Sequence, residues 1–268
     1  MAARTDELIR TRPAPHRRAG TGTPLVLVHG FLGGSAQWEA QIAHFQTTHD
    51  VIAPDLPGFG EAADLPGRVG IEGLADYVIE FLDDLGIASF ALLGHSMGGM
   101  IAQTIAAKIP ERVEKLVLYG TGPLGLMPNR FETIDESRQR LLADGILKTI
   151  RRVGATWVLD STTAAGQSNV DTLARIGAAA SREAALMAYD GMERWDGRPH
   201  LEFLTMPTLI LWGDTDRSYR WPQVQELWDK IPKARLAVMP GTSHAAHLEK
   251  PGLFNALLDD FLSQDRPS

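Results

Sequence analysis

The chain has 268 residues, 44% of them hydrophobic, enough to bury one α/β core that carries an insertion. Its 26 Lys and Arg against 33 Asp and Glu leave a formal net charge of −7, which disfavours a nucleic-acid backbone or an anionic membrane surface as a partner. The absence of cysteine rules out disulfides, a thiolate nucleophile and a Cys-based metal centre.

Arg4, Asp6, Glu7, Arg10 and Arg12 precede any apolar run, so the start of the chain lacks the apolar core of a signal peptide. No stretch approaches the roughly 18 apolar residues of a membrane span. A cytoplasmic protein is the expectation. Short apolar runs at 25–28, 51–53, 90–93, 116–119, 208–212 and 236–239 predict six strands, with helical patterns between them. Strands alternating with helices predict the α/β class: a mainly parallel twisted sheet with helices on both faces.

The first strand leads into His29-Gly30-Phe31-Leu32-Gly33-Gly34, a glycine-rich loop able to bend back over the turn at Gly94 to Gly99. Ile71, Leu74, Val78, Leu82 and Leu85, spaced by three and four, predict an amphipathic helix that Gly86 stops. Its acidic residues, Glu72, Asp76, Glu80, Asp83 and Asp84, form a solvated face. Next comes the segment richest in chemistry. Phe90-Ala91-Leu92-Leu93 runs into Gly94-His95-Ser96-Met97-Gly98-Gly99 and then into a helix-compatible stretch from Met100 to Lys108. A G-x-S-x-G between a strand and a helix is the setting of a nucleophilic serine on a sharp turn, and it makes Ser96 the candidate nucleophile.

The alternation then lapses, predicting a helical cap over 123–200 inserted between core segments 1–122 and 201–268. Helices are expected over 131–150 and 173–187, interrupted by Gly145, Gly154, Gly166 and Gly177. The insertion holds ten Arg and Lys against ten Asp and Glu, so the acidic excess lies in the core. Met127, Phe131, Trp157, Met187, Tyr189, Met192 and Trp195 are available to pack the cap or wall a pocket, and Arg130, Arg151, Arg152, Arg194 and His200 could anchor a carboxylate. From these, Arg130, Trp157, Tyr189, Trp195 and His200 are taken as the substrate-binding candidates.

A serine hydroxyl needs a neighbouring base. The last predicted strand is followed by Pro240-Gly241-Thr242-Ser243-His244, with a further helix starting near Pro251, so His244 leaves the same sheet edge as Ser96; His247 is the fallback. The acid that orients the base must also sit at that edge. Trp212-Gly213-Asp214-Thr215-Asp216 follows the preceding strand, and Asp216 is preferred because Asp214 lies close enough to the strand to hold the turn together. The order Ser96, Asp216, His244 is Ser, acid, His. Oxyanion donors are expected from the backbone N–H groups of Met97, after the nucleophile, and Phe31, on the first loop. His29 is expected to be structural, bonded to the loop backbone.

Taken together, His29-Gly30 with Trp38, Asp55-Leu56-Pro57-Gly58-Phe59-Gly60, Gly94 to Gly99, Gly213 followed by Asp216, and Gly241 to His244 with Glu249 and Pro251 resemble the α/β-hydrolase superfamily over nearly the whole chain. The resemblance implies that fold and a Ser-His-Asp hydrolase, and its Gly-x-x-Asp pattern again favours Asp216. Two departures concern the pocket rim: Glu61-Ala62 stands where the family usually has x-Ser, and the proline expected soon after the acid arrives only at Pro222. Within the superfamily the motifs look like small-molecule esterases and lactonases. They are also compatible with carbon–carbon bond hydrolases of ring-cleavage pathways and with the menaquinone-pathway synthase that eliminates pyruvate. The carbon–carbon hydrolases more often carry asparagine where this chain has His95, and a haloalkane dehalogenase would carry aspartate in place of Ser96.

The expected activity is hydrolysis of a small carboxylic ester, thioester or lactone through an acyl-enzyme. The alternatives are carbon–carbon cleavage of a vinylogous diketone ring-cleavage product and, from another class, a ligand-binding receptor with slow turnover. No cofactor and no metal are expected, since the chain lacks Cys ligands, an H-E-x-x-H pair and a dinucleotide fingerprint. The expected partner is a small-molecule substrate, with no nucleic acid and no membrane, in a monomer or homo-oligomer.

Overall fold

Along the central strands successive residues are all apolar, which a strand tolerates only when both of its faces are covered. The computed structural model describes residues 14–126 and 132–264 and shows where each face goes. Seven strands, β1 (His16–Ala19), β2 (Thr23–Val28), β3 (His49–Pro54), β4 (Phe90–His95), β5 (Val113–Tyr119), β6 (Thr208–Gly213) and β7 (Ala234–Met239), lie in the order β1-β3-β2-β4-β5-β6-β7. All neighbours are parallel except β1, which runs antiparallel to β3 at the edge. The six predicted strands are all present.

Alternate residues divide between two cores. Val26, Val28, Ile52, Leu92, Leu116, Leu118 and Ile210 face α2 (Gly70–Asp84) and α3 (Met97–Lys108). Leu25, Leu27, Val51, Ala53, Leu93, Val117, Tyr119, Leu209 and Leu211 pack with Phe45 of α1 (Glu39–Phe45) and with Phe254, Leu258 and Phe261 of the C-terminal helix, Pro251–Ser263. On α2 the predicted stripe is buried at Ile71, Leu74, Val78 and Leu82. Gly86, at φ +69°, ends the helix, donating to the carbonyl of Asp83 while Ile87 donates to that of Leu82.

Three helices fill the interval between β5 and β6: α4 (Ile134–Trp157), α5 (Ala164–Gly177) and α6 (Arg182–Arg194). Their starts are written in side chains that accept orphan helix N–H groups: Thr133 with Glu136 in a capping box, Thr163 on Gly166 and Ser181 on Ala184. Here the predicted helix boundaries need correction. Gly145 does break the helical geometry, at φ 74° and ψ 175°, but Gly154 lies within α4, which continues to Trp157. The helix expected over 173–187 is two helices, because Gly177 closes α5 and Ser181 caps a new start; Gly166 sits in the first turn of α5. Among the described residues no helix is long and apolar enough to cross a membrane. After β6 come α7 (Trp221–Lys230), β7, the short α8 (Ala246–Glu249) and the C-terminal helix, α9 (Pro251–Ser263).

Because β2, β4, β6 and β7 run parallel, the segments that follow them all emerge at one edge of the sheet. That edge therefore gathers the loop from His29, the turn at Ser96, the loop of Asp214 and Asp216, and the loop of His244.

Candidate active site

At the end of β4 the chain reverses from strand to helix in a single residue. Ser96 adopts φ 57° and ψ −120°, a conformation costing a non-glycine residue about 1–3 kcal/mol, and so its side chain stands out from the turn. Neighbouring backbone holds it there. Ser96 N–H donates to the Tyr119 carbonyl (3.0 Å), and the Ser96 carbonyl accepts from Gly99 N–H (2.8 Å) and the Thr121 hydroxyl (2.8 Å). The turn is possible only with bare backbone beside it: a Cβ on Gly94 would lie 2.1 Å from the Gly98 carbonyl oxygen, and one on Gly98 would lie 2.4 Å from that of Val28. Met97 opens α3, so its N–H has no acceptor within the helix.

The glycine-rich loop arches over this turn. His29, buried, donates from Nδ1 to the Gly30 carbonyl (2.8 Å) and accepts at Nε2 from Leu56 N–H (3.0 Å), the structural role expected of it. Asp55 pins the far end by accepting from Ser35 N–H (2.6 Å) and the Ser35 hydroxyl (3.0 Å). Gly30 lies so close to the nucleophile that a Cβ there would meet Ser96 Cβ at 3.0 Å, and Phe31 follows immediately.

His244 and Asp216 are both buried, with His244 Nδ1 2.9 Å from Asp216 Oδ2. The other carboxylate oxygen, Oδ1, accepts from the N–H groups of Ser218 (2.7 Å) and Tyr219 (3.1 Å), which fixes the plane of the carboxylate. Asp214 is a turn residue: its Oδ1 accepts from Gly241 N–H (2.8 Å) and Thr242 N–H (3.4 Å), tying the two loops together. Glu249 secures the histidine loop to the end of α4, accepting from Ser243 N–H (2.6 Å) and Leu159 N–H (2.5 Å).

Behind His244 lies a network the sequence did not announce. The His244 carbonyl accepts from His95 Nε2–H (3.1 Å) and from the Tyr119 hydroxyl (2.7 Å), and Gln37 Nε2 approaches His95 Nδ1 at 3.3 Å. Burial pushes His95 well below its ordinary pKa, aided by the neighbouring His244, and pushes the Tyr119 phenol well above its own, so both remain neutral donors. His247, the fallback base, faces Trp38 and Tyr119 on this far side; its Nδ1 is 3.0 Å from the Tyr119 oxygen, and burial lowers its pKa to about 3. Among the described residues no three His, Asp or Glu side chains are grouped so as to hold a metal ion.

These depressed pKa values predict acid lability. A histidine whose folded pKa lies below its unfolded value stabilises the fold fully above about pH 6.5, and that contribution is lost as pH falls below it. His29, His95 and His247 all shift this way, principally through desolvation. For His247 the loss is roughly 2 kcal/mol by pH 5, and the other two add in the same direction. Urea denaturation at pH 7.5 and 5.0 should show a marked fall in unfolding free energy with proton uptake on unfolding; a flat profile would contradict neutral burial of these rings.

Two adjoining cavities meet at the nucleophile. One is walled by Gly30, Phe31, Leu32, Gly33, Gln37, His95, Ser96, Trp157, Leu173, Ile176 and His244. The other lies toward α4 and α6, where Met100, Ile134, Val153, Trp157, Tyr189 and Met192 join Phe31, Ser96, Ser218, Tyr219 and His244. Of the five substrate-binding candidates, Trp157 and Tyr189 are on these walls. Trp195 is not: it is buried, its indole N–H donates to the Thr104 hydroxyl (3.2 Å), and it packs the insertion onto α3. Nor is His200, which is exposed on a short 3-10 turn, Arg198–Phe203. Both candidates failed because an aromatic or a histidine in the insertion carries no mark of which side it faces. Arg130, like Met127 and Phe131, lies outside the described residues. Arg151 pairs with Asp171 (2.7 Å) and Arg152 with Glu132 (2.7 Å), while Arg194 is exposed. Sequence reasoning missed Met100, one turn into α3, and the pair Ser218 and Tyr219, which only the fold of the Asp216 loop brings to the pocket.

The family model for the alpha/beta hydrolase fold matches residues 23–251. The chain belongs to this family. It is accordingly a hydrolytic enzyme, and several of its relatives are hydrolases or lactonases by name. It is 31% identical over 93% of its length to a 2-hydroxy-6-oxo-6-phenylhexa-2,4-dienoate hydrolase from Comamonas testosteroni, covering 91% of that protein. It is 28% identical over 87% of its length to 3-oxoadipate enol-lactonase 2 from Acinetobacter baylyi, covering 86% of it. Among solved structures, a thermophilic esterase from Thermogutta terrifontis superposes with a TM-score of 0.84 at 28% identity, with 92% of each chain covered.

Proposed function

We propose that this hydrolase cleaves a small, uncharged carboxylic ester, thioester or lactone through an acyl-enzyme on Ser96. The observation that carries the reading is the buried His244 Nδ1–Asp216 Oδ2 contact of 2.9 Å on a ring that shares both cavity walls with Ser96. In this scheme His244 Nε2 takes the Ser96 proton as Oγ attacks the substrate carbonyl, and Asp216 holds the imidazole in the Nδ1–H tautomer and stabilises the imidazolium. The N–H groups of Phe31 and Met97 receive the developing oxyanion, and His244 then gives its proton to the departing alkoxide or thiolate. Water, activated by the same histidine, releases the acid.

The lining favours an uncharged substrate. No Asp, Glu, Lys or Arg is among the described wall residues, and Arg151 and Arg152 are engaged with carboxylates elsewhere. A specific observation keeps carbon–carbon cleavage as the second reading: the 31% identical relative is named as the hydrolase of a dienoate, an acid. The two readings separate in kcat/KM for a neutral ester and for the same ester carrying a terminal carboxylate. The neutral ester should be preferred by tenfold or more, and Arg151→Ala or Arg194→Ala should change neither substrate more than about twofold. Preference for the acid, with a loss of roughly 2–5 kcal/mol confined to it in Arg130→Ala, would instead favour the carboxylated ring-cleavage product.

A further inference from the structure

A buried hydroxyl that meets no acceptor and no donor is costly, so where one persists on the wall of a binding cavity its missing partner is sought in the ligand. Ser218 is such a residue. Its Oγ is buried and without a hydrogen-bond partner among the described residues, and it belongs to the cavity wall that also holds Ser96, Tyr219 and His244. The remaining described wall of that cavity is largely hydrocarbon and aromatic: Phe31, Met100, Ile134, Val153, Trp157, Tyr189 and Met192.

Its position is not left to loop mobility. Ser218 N–H donates to Asp216 Oδ1 at 2.7 Å, and the next residue does the same at 3.1 Å. Tyr219 lies parallel to the His244 ring with centroids 5.7 Å apart and interplanar angle 20°, and its carbonyl accepts from the Trp212 indole N–H at 2.8 Å. The carboxylate bonded to the histidine thus also fixes the backbone from which the Ser218 hydroxyl projects. A chamber walled mainly by hydrocarbon and aromatic side chains that presents the Ser218 hydroxyl selects ligands with an oxygen at a matching distance, because placing a methylene there leaves that hydroxyl unpaired.

We propose that Ser218 is a specificity-determining residue that hydrogen-bonds an uncharged oxygen substituent of the substrate, an ether, hydroxyl or carbonyl oxygen remote from the scissile ester. The inference rests on the ester-hydrolase reading above. It divides the labour within the Asp216 loop: Asp216 serves the histidine, and Ser218 reads the substrate.

The test is an oxygen scan. A set of alkyl alkanoate esters of constant length is prepared in which an ether oxygen replaces one methylene at a time, along the acyl chain and then along the alcohol chain, and kcat/KM is measured by pH-stat for the full-length enzyme. One position in the set should exceed the all-carbon ester. Ser218→Ala should reduce that preference about three- to tenfold while changing the all-carbon ester less than twofold. Ser218→Thr, which keeps the hydroxyl, should retain the preference, and Ser218→Val, of the same shape as threonine without the hydroxyl, should lose it; this pair decides the matter even if the alanine variant folds poorly. Equal effects of Ser218→Val on all esters, or no ether position sensitive to it, would overturn the proposal while leaving the hydrolase reading intact. Failure of the folded wild-type enzyme to hydrolyse any ester of the set would overturn both.

Discussion

Ser96→Ala is expected to lower kcat by on the order of 10⁴ to 10⁶ while leaving the folded structure in place. The hydrogen bonds that hold residue 96 use its main-chain atoms, to Tyr119, Gly99 and Thr121, and alanine retains all of them. Alanine also pays the same backbone strain at φ 57°, so the strain adds nothing to the difference between the two proteins. What disappears is the hydroxyl proposed as the nucleophile, on the cavity walls that residue 96 shares with Phe31 and His244. Residual turnover should come from the oxyanion site and binding alone. Steady-state kinetics on an activated ester, together with thermal unfolding of both proteins, checks this. Activity above about a tenth of wild type with an unchanged melting curve would remove Ser96 from the reaction.

What the sequence made legible follows from how local the physics is. The inner strands β2 to β6 were readable because a strand buried on both faces must be continuously apolar; the edge strand β7 is half-exposed and was readable only from its apolar run at 236–239, whereas β1, with His16, Arg17 and Arg18 at the opposite edge, has no such run and left no signal. The turn at Ser96 was readable because its geometry demands small residues at fixed offsets, Gly94 and Gly98, whose replacement would drive a side chain into backbone. The assignment of Asp214 to the turn and Asp216 to the histidine was also accessible, since chain distance from the strand decides which carboxylate can reach across the sheet edge.

The insertion was less legible because its faces are set by tertiary packing rather than by period. Trp157 and Tyr189 line the pocket while Trp195 braces α3, and nothing in the neighbourhood of these residues in the chain distinguishes them. The same holds for Ser218: its role depends on an Asp216 carboxylate that folds the following two residues around itself. The network of Gln37, His95 and Tyr119 behind His244 joins residues far apart in the chain, so pattern alone could not assemble it.

Asp216→Asn should be nearly as damaging as loss of the nucleophile, lowering kcat by about 10⁴, whereas Asp214→Asn should stay within a few-fold of wild type. The difference comes from how each carboxylate is bonded. Asp216 Oδ1 accepts from two backbone N–H groups, so an asparagine here is forced to place its carbonyl oxygen at that position and to turn its NH₂ toward His244 Nδ1. The ring must then accept at Nδ1 and carry its proton on Nε2, the nitrogen that takes the Ser96 proton in the proposed mechanism. The fold is kept and the base is in the wrong tautomer. Asp214, in contrast, uses one oxygen to accept from Gly241 and Thr242, a task an asparagine carbonyl performs equally well. Measuring kcat for both variants against pH discriminates further: if the Asp216→Asn loss arises from the tautomer, hydroxide should partly restore activity at high pH, where it can replace the missing base. A large loss in Asp214→Asn with little change in Asp216→Asn would reverse the assignment of the two aspartates.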